Sequence, residues 1–294
     1  MNNKKTRVAM LSVVSNTCLT VFKLIVGLLI GSVSVISEAI HSGVDLVAAI
    51  IAYFAVKTSG KPADTEHAYG HGKYENLSGT IEALLIFVAA GWIIFEAVHK
   101  LINPQPMESV GLGIIIMTIS AIVNIIVSNK LFKVGKETDS LALQADAWHL
   151  KTDVYTSFGV AGGLLIYTIC HYLFPQTNLY WIDPVVAILV ATLIIKAAWD
   201  LTAQSVGGLL DTSLPNEEVD IIKDILKGLD YHDLRTRKSG ADRFVEFHIV
   251  VDRNMIVGDS HDLSDTIADK IESQLKKCQV RIHVDCEDDS KFSK

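Results

Sequence analysis

Two apolar segments of membrane length each carry a histidine four residues before an aspartate. The pairs are His41 and Asp45, in Glu38-Ala-Ile-His-Ser-Gly-Val-Asp45, and His149 and Asp153, in Ala145-Asp-Ala-Trp-His-Leu-Lys-Thr-Asp153. On a helix each pair lies on one face, one turn apart. Brought face to face, the two helices offer two imidazoles and two carboxylates, a nitrogen and oxygen set whose number and type suit a tetrahedral zinc ion. A lone buried histidine or aspartate is often only a satisfied polar residue. The repetition of the pair inside apolar helices changes that reading. An aspartate at mid-membrane costs about 2.5–3.5 kcal/mol on insertion scales, and such residues mark ion or proton pathways.

The rest of the chain has the composition of a membrane protein. Of its 294 residues 50% are hydrophobic, and the mean hydropathy is +0.35. Apolar runs of roughly 20 residues are read as membrane helices. Six are expected, near 8–31, 33–56, 76–101, 109–132, 141–170 and 181–205. Polar interruptions at Asn16, Lys23, Glu82 and Asn124 imply that these helices pack on one another. The first run is too long for a signal-peptide core and has no small-residue cleavage site, so it is expected to be retained.

Lysine and arginine set the orientation. Lys4, Lys5 and Arg7 precede the first helix. Lys57, Lys61 and Lys73 flank the second connection, and Lys130, Lys133 and Lys136 the fourth. The opposite loops carry almost none, which places both termini in the cytoplasm. The net charge of −7 and the lack of a basic stripe argue against nucleic-acid binding. Cys18, Cys170, Cys278 and Cys286 show no paired spacing and are read as free thiols.

Between the second and third helices, Asp64, His67 and His71 form an Asp-x-x-His-x-x-x-His array. Spacing alone leaves two readings open, a second metal site or solvated loop histidines. After the sixth helix the pattern changes. Pro215, Glu217 and Glu218 open an amphipathic helix with Val219, Ile222, Leu226 and Leu229 on one face. Strands follow near 231–238 and 243–252, then a helix near 260–276 with Leu263, Ile267, Ile271 and Leu275 spaced for burial. A last strand near 279–285 turns Val280, Ile282 and Val284 inward. The order α-β-β-α-β predicts a small open-faced sandwich. His232, His248, His261, His283 and Asp285 are expected to gather on one surface, as metal ligands or as a solvated polar face.

The chain resembles the cation diffusion facilitator family of metal efflux transporters. The likeness rests on the paired His-x-x-x-Asp motifs, the loop from Pro62 to Lys73, and Leu209-Leu-Asp-Thr-Ser-Leu-Pro215. It covers all but the N-terminal residues and the tail from Cys286. The resemblance implies an all-α six-helix transmembrane domain over 1–210 and a ferredoxin-like, metallochaperone-like α/β cytoplasmic domain over 211–294. It implies a homodimer in the cell membrane that exchanges a cytosolic divalent metal for protons and needs no other cofactor. His41, Asp45, His149 and Asp153 then form the transport site, and Asp64, His67 and His71 a loop site. The histidines and Asp285 of the last domain form a regulatory, binuclear site. Lys73 and Asp211 match positions whose charge contact holds the dimer near the membrane surface. Manganese-moving members replace a site histidine by Asp or Asn, and iron-and-zinc members often carry Asp where His41 stands, so the two histidines here resemble the zinc type. Some relatives carry a polar residue where Val284 stands. Helical geometry turns Lys151 off the ligand face, with Asp146 or Glu38 as acidic partners within reach.

Two other classes compete. A membrane metalloenzyme needs an open metal position and a positioned base, as in His-Glu-x-x-His, and that motif is absent from the sequence. A metal sensor or scaffold without transport is disfavoured because both intramembrane pairs are intact.

Overall fold

The computed structural model describes residues 2–30, 33–103, 111–173 and 181–286. Six long helices come first: α1 (Asn2–Ile30), α2 (Val33–Ser59), α3 (Lys73–Ile102), α4 (Gly111–Thr138), α5 (Leu141–Leu173) and α6 (Ile182–Leu209). Among the described residues, four stretches are long and apolar enough to cross a membrane, Asn3–Leu29, Ala39–Ser59, Lys73–Ile102 and Pro184–Leu209. The expectation was six. α4 and α5 are 28 and 33 residues long, and the side chains of 111–117 in α4 and 160–173 in α5 lie outside the described residues. Outward faces present large apolar side chains such as Leu29, Trp92, Phe95, Leu193 and Trp199, as a lipid-facing surface requires. The connections expected at the far ends of α1 and α5 (31–32 and 174–180) and the Cys170 side chain lie outside the described residues. Cys18, Cys278 and Cys286 are free thiols.

α5 is the hub of the bundle. Its Ala142, Leu143, Ala147 and Leu150 join Ala9 of α1, Ala55 of α2 and Leu131 of α4 in one core. Its Ala145 joins Ala83 of α3 and Ala198 and Leu201 of α6 in another. Alanine-rich contact faces let helix backbones approach closely. The α4–α5 connection is short. Asp139 takes a left-handed φ of 54°, and the Ser140 amide donates to the Gly135 carbonyl at 2.8 Å, the Schellman closure of a helix end.

The C-terminal part follows the expected order: α7 (Asn216–Ile225), β1 (Tyr231–Ser239), β2 (Asp242–Val251), α8 (Val257–Gln274) and β3 (Cys278–Cys286). The sheet order is β1-β2-β3, antiparallel between β1 and β2 and parallel between β2 and β3. Gly240, at φ 60°, supplies the left-handed position of the two-residue β1–β2 turn. Ile222, Leu226, Val245, Phe247, Ile249, Ile267, Ile271 and Leu275 form one buried core, with Val219, Leu229, Leu263 and Val280 packed against it. The periodicities that predicted both helices hold. α7 and α8 cover one face of the sheet and leave the other open.

The tip of the β1–β2 hairpin sits against the helical bundle. The Gly240 amide donates to Asn76 Oδ1 at 2.8 Å, and Asn76 Nδ2 donates to the Ser205 carbonyl at 3.2 Å. Arg243 donates to Glu218 of α7 and, at 3.0 Å, to Asp139 of the α4–α5 turn. Lys238 reaches the same Asp139 oxygen at 2.7 Å. Burial works against the Asp139 charge, but Lys238 and Arg243 outweigh it and hold its carboxyl below the usual aspartate range. A depressed folded-state pKa gives stability that is present above the ordinary aspartate value and lost as pH falls through the folded one. Asp139→Asn is expected to destabilise this junction by roughly 1 kcal/mol at neutral pH. Melting temperatures of the two proteins should converge as pH falls below about 4.

Candidate metal centres

α2 and α5 present the paired motifs to each other. His149 Nε2 lies 3.1 Å from Asp45 Oδ1, and His41 Nε2 lies 3.6 Å from Asp153 Oδ1. Ligand atoms of His41, Asp45 and Asp153 all fall within 4.8 Å of one another, and His149 joins them through Asp45. Asp45 and His149 are buried. Among the described residues, His149 Nδ1 and Asp153 Oδ2 are buried without a hydrogen-bond partner, an arrangement that buried polar atoms normally avoid. His41, Asp45 and Asp153 line a small polar cavity that also takes in Asn16, Lys23 and Asn124. Helical periodicity aligns each pair on one face, and the packing of α2 against α5 brings the two pairs together.

Among the described residues Lys151 meets aromatic rings and no acidic partner. Its ammonium lies over the rings of Phe132 and Trp148, 4.9 and 5.6 Å from their centroids. Those rings meet edge-on on the α4 side of α5, where a cation is stabilised by aromatic faces. Asp146, the acidic residue within reach, is instead fully buried inside the bundle, and the Glu38 side chain lies outside the described residues. The sequence showed Glu82 as a polar interruption and Asp146 as an acid near Lys151, but gave no sign that both would be completely buried.

In the loop between α2 and α3, ligand atoms of Asp64, His67 and His71 also lie within 4.8 Å of one another. Asp64 Oδ1 accepts the backbone amides of His67 at 2.7 Å and Glu66 at 3.1 Å, and Asp64 Oδ2 is 3.3 Å from His71 Nε2. The His67 amide first, then the fields of His71 and His67, holds this carboxyl below the usual aspartate range. His71 is buried and stacks on Tyr74. Tyr69 reaches from the same loop to the C-terminal sheet, where Arg237 and Arg281 lie over its ring. The loop is therefore ordered by contacts with the C-terminal domain, which its own spacing could not reveal.

On the open face of that sheet, Asp285 is the centre of a third cluster. Its Oδ2 is 2.9 Å from His248 Nδ1 and 3.2 Å from His232 Nε2, and its Oδ1 is 3.2 Å from His283 Nε2. Pairing places His248 beside both His232 and His283 across the strands. Burial disfavours the Asp285 charge, but the His248 hydrogen bond and the neighbouring imidazoles outweigh it and hold the carboxyl below its usual range. His261 does not join this surface within one chain. It stands on α8, which covers the opposite face, and lies 3.4 Å from Asp265 one turn away. The expectation failed because it counted histidines without fixing which face the helix takes.

Lys73 and Asp211 do meet, at 3.0 Å, within one chain, and Arg237 shares the same Asp211 oxygen at 3.2 Å.

A bundle of long apolar helices with acids and imidazoles gathered inside it, joined to a histidine-bearing α/β domain, is the architecture of a membrane cation carrier. The model of the cation efflux transmembrane domain matches residues 9–210, and that of the cation efflux protein cytoplasmic domain matches residues 214–287. The chain is 34% identical to an uncharacterized transporter of Synechocystis, over 89% of this chain and 84% of that protein. It is 30% identical to the cation-efflux pump FieF of Shewanella oneidensis, over 93% and 91%. An uncharacterized transporter of Methanocaldococcus jannaschii shares 29%, over 95% and 97%. The chain belongs to the cation efflux family: it is a multi-pass membrane transporter of metal cations, not an enzyme, with a cytoplasmic dimerisation domain.

Asp285 touches three of the four histidines. Asp285→Ala is therefore expected to remove most zinc binding by this cluster, whereas His261→Ala leaves it intact. Calorimetric titration of the full-length variants in detergent checks the contrast.

Proposed function

We propose that this protein exports a divalent metal, zinc foremost, from the cytoplasm in exchange for protons. The observation that supports this most is the α2–α5 site: three ligand atoms within 4.8 Å of one another and a buried imidazole nitrogen and carboxylate oxygen without partners. His41, Asp45, His149 and Asp153 are the transport ligands in this reading. Two imidazoles beside two carboxylates favour zinc, cobalt or cadmium over magnesium and manganese, which prefer oxygen. The metal and protons compete for the same lone pairs, so protons arriving from outside release the metal and are carried inward. All six long helices cross the bilayer, the lysine-rich connections face the cytoplasm with both termini, and the transport domain ends at Leu210. Asp64, His67 and His71 form a loop site. His232, His248, His283 and Asp285 form a regulatory site on the dimerising domain. A metal sensor of the same fold would bind at these positions without moving the ion.

Asp153→Ala is expected to abolish zinc uptake into proteoliposomes while the protein still inserts and dimerises, since removing an intramembrane charge does not weaken the bundle. Near-normal flux in that variant would overturn the site.

His41→Asp makes the site harder and more negative, and it should weaken discrimination against manganese and iron. Zinc flux at fixed zinc and varied transmembrane pH should rise when the gradient points into the compartment that corresponds to the cytoplasm. Flux indifferent to that gradient rules out exchange, and an unchanged metal ranking in His41→Asp rules out His41 as the selector.

A further inference from the structure

The cavity lined by His41, Asp45 and Asp153 reaches beyond these ligands. On α2 its wall runs from Asp45 back to His41, and on α5 from Asp153 on to Thr156 and Ser157. Both directions lead away from the lysine-rich connections, so the cavity lies on the outward side of the Asp45–His149 contact in the orientation proposed above. α1 adds Asn16, and α4 adds Ser120 and Asn124. These three are 2%, 8% and 7% exposed. Among the described residues, Asn16 Nδ2, Ser120 Oγ and Asn124 Oδ1 are buried without a hydrogen-bond partner, which buried polar atoms normally avoid. Thr156 Oγ1 and Ser157 Oγ donate to the Asp153 carbonyl at 2.9 and 2.8 Å. Their protons are committed there, so these hydroxyls have only lone pairs to offer other partners. Lys23 of α1 also lines the cavity and donates to Ser42 Oγ of α2 at 2.8 Å. Among the described residues that line it, those of α4 and α5 include no cationic side chain. At about 70 Å³ the space takes a few water molecules.

We propose that Ser120 and Asn124 of α4, with Thr156 and Ser157 of α5, form a second, neutral cation site. It receives the divalent metal, with part of its water shell, as the metal leaves His41, Asp45, His149 and Asp153. The proposal rests on the transport site and the orientation proposed above. Taking a divalent ion off two imidazoles and two carboxylates inside a low-dielectric bundle is costly unless other ligands replace them. The α4 and α5 walls supply the replacement. An amide oxygen and hydroxyl lone pairs meet the ion directly or accept the protons of its waters. None of these groups carries a charge, so the ion is held loosely, and a conducting site must be weak enough to leave. The Asn16 amide N–H, a donor, serves the oxygens of those waters and not the ion itself.

The test uses the full-length protein in proteoliposomes, with zinc as the probe and flux started from the cytoplasmic face. Asn124→Leu is expected to lower the maximal rate about tenfold, the size of an outer-shell effect on metal handling, and to lower the half-saturating zinc concentration by the same factor. The ratio of the two stays at the wild-type value, because entry and binding at the four ligands are untouched and only release is slower. Thr156→Val removes one wall oxygen at nearly constant shape. It shows the same parallel fall, about threefold, and keeps the test alive if the leucine variant does not fold. A purely structural role would lower the maximal rate and leave half-saturation unchanged, so that the ratio falls. That pattern, or wild-type values in both variants, overturns the proposal. Asp153→Ala runs beside them. If it is inactive while Asn124→Leu and Thr156→Val transport as wild type, the neutral site falls and the transport site stands. If Asp153→Ala transports normally, both sites fall together.

Discussion

The approach of α2 to α5, fixed where Asp45 meets His149 at 3.1 Å, governs the membrane domain. Ionisable groups inside an apolar bundle persist only if they find one another, a bound cation or protons. Everything around this contact serves to bring two polar helix faces together and hide them. Alanine faces on α5 allow close packing against α1, α2 and α4 on one side and against α3 and α6 on the other. The polar residues that interrupt the apolar pattern, Asn16, Lys23 and Asn124, turn up as walls of the cavity.

The cytoplasmic domain solves a smaller problem with the same elements. Its core needs one sheet face, and α7 and α8 take it. The other face is left with alternate residues of β1, β2 and β3, and the pairing register sets His232, His248 and His283 side by side around Asp285. Tyr69 and the Gly240 turn tie this domain to the loop and to the start of α3. The loop cluster and the sheet cluster are thus joined by direct contacts as well as by the chain.

Much of this was legible from residues. Period 3.6 in α7 and α8 and period 2 in β3 predicted elements that the structure reproduces closely, because one strongly apolar face decides each of them. The two His-x-x-x-Asp pairs met as helical spacing requires. What failed depended on three-dimensional sides. His261 was counted with the other histidines although α8 covers the opposite sheet face. For Lys151 the sequence left Asp146 or Glu38 open as partners; the Glu38 side chain lies outside the described residues, and the ammonium lies over aromatic rings on the α4 side of α5. That Lys23 faces the bundle was readable from its place in an apolar run, but its partner Ser42 was not.

The short turn between α4 and α5 determines how far motion travels. Asp139 is held by Lys238 and Arg243 of the cytoplasmic domain, and α5 begins two residues later. At 1.5 Å per residue, Asp153 lies about 18 Å along the helix from that start. α5 is a lever with its handle gripped by the β1–β2 hairpin. A tilt of about 3° at the handle displaces Asp153 sideways by roughly 1 Å over that length. Metal coordination is sensitive to displacements of a few tenths of an ångström, so the grip at Asp139 sets a gearing ratio between the cytoplasmic sheet and the ligands inside the membrane.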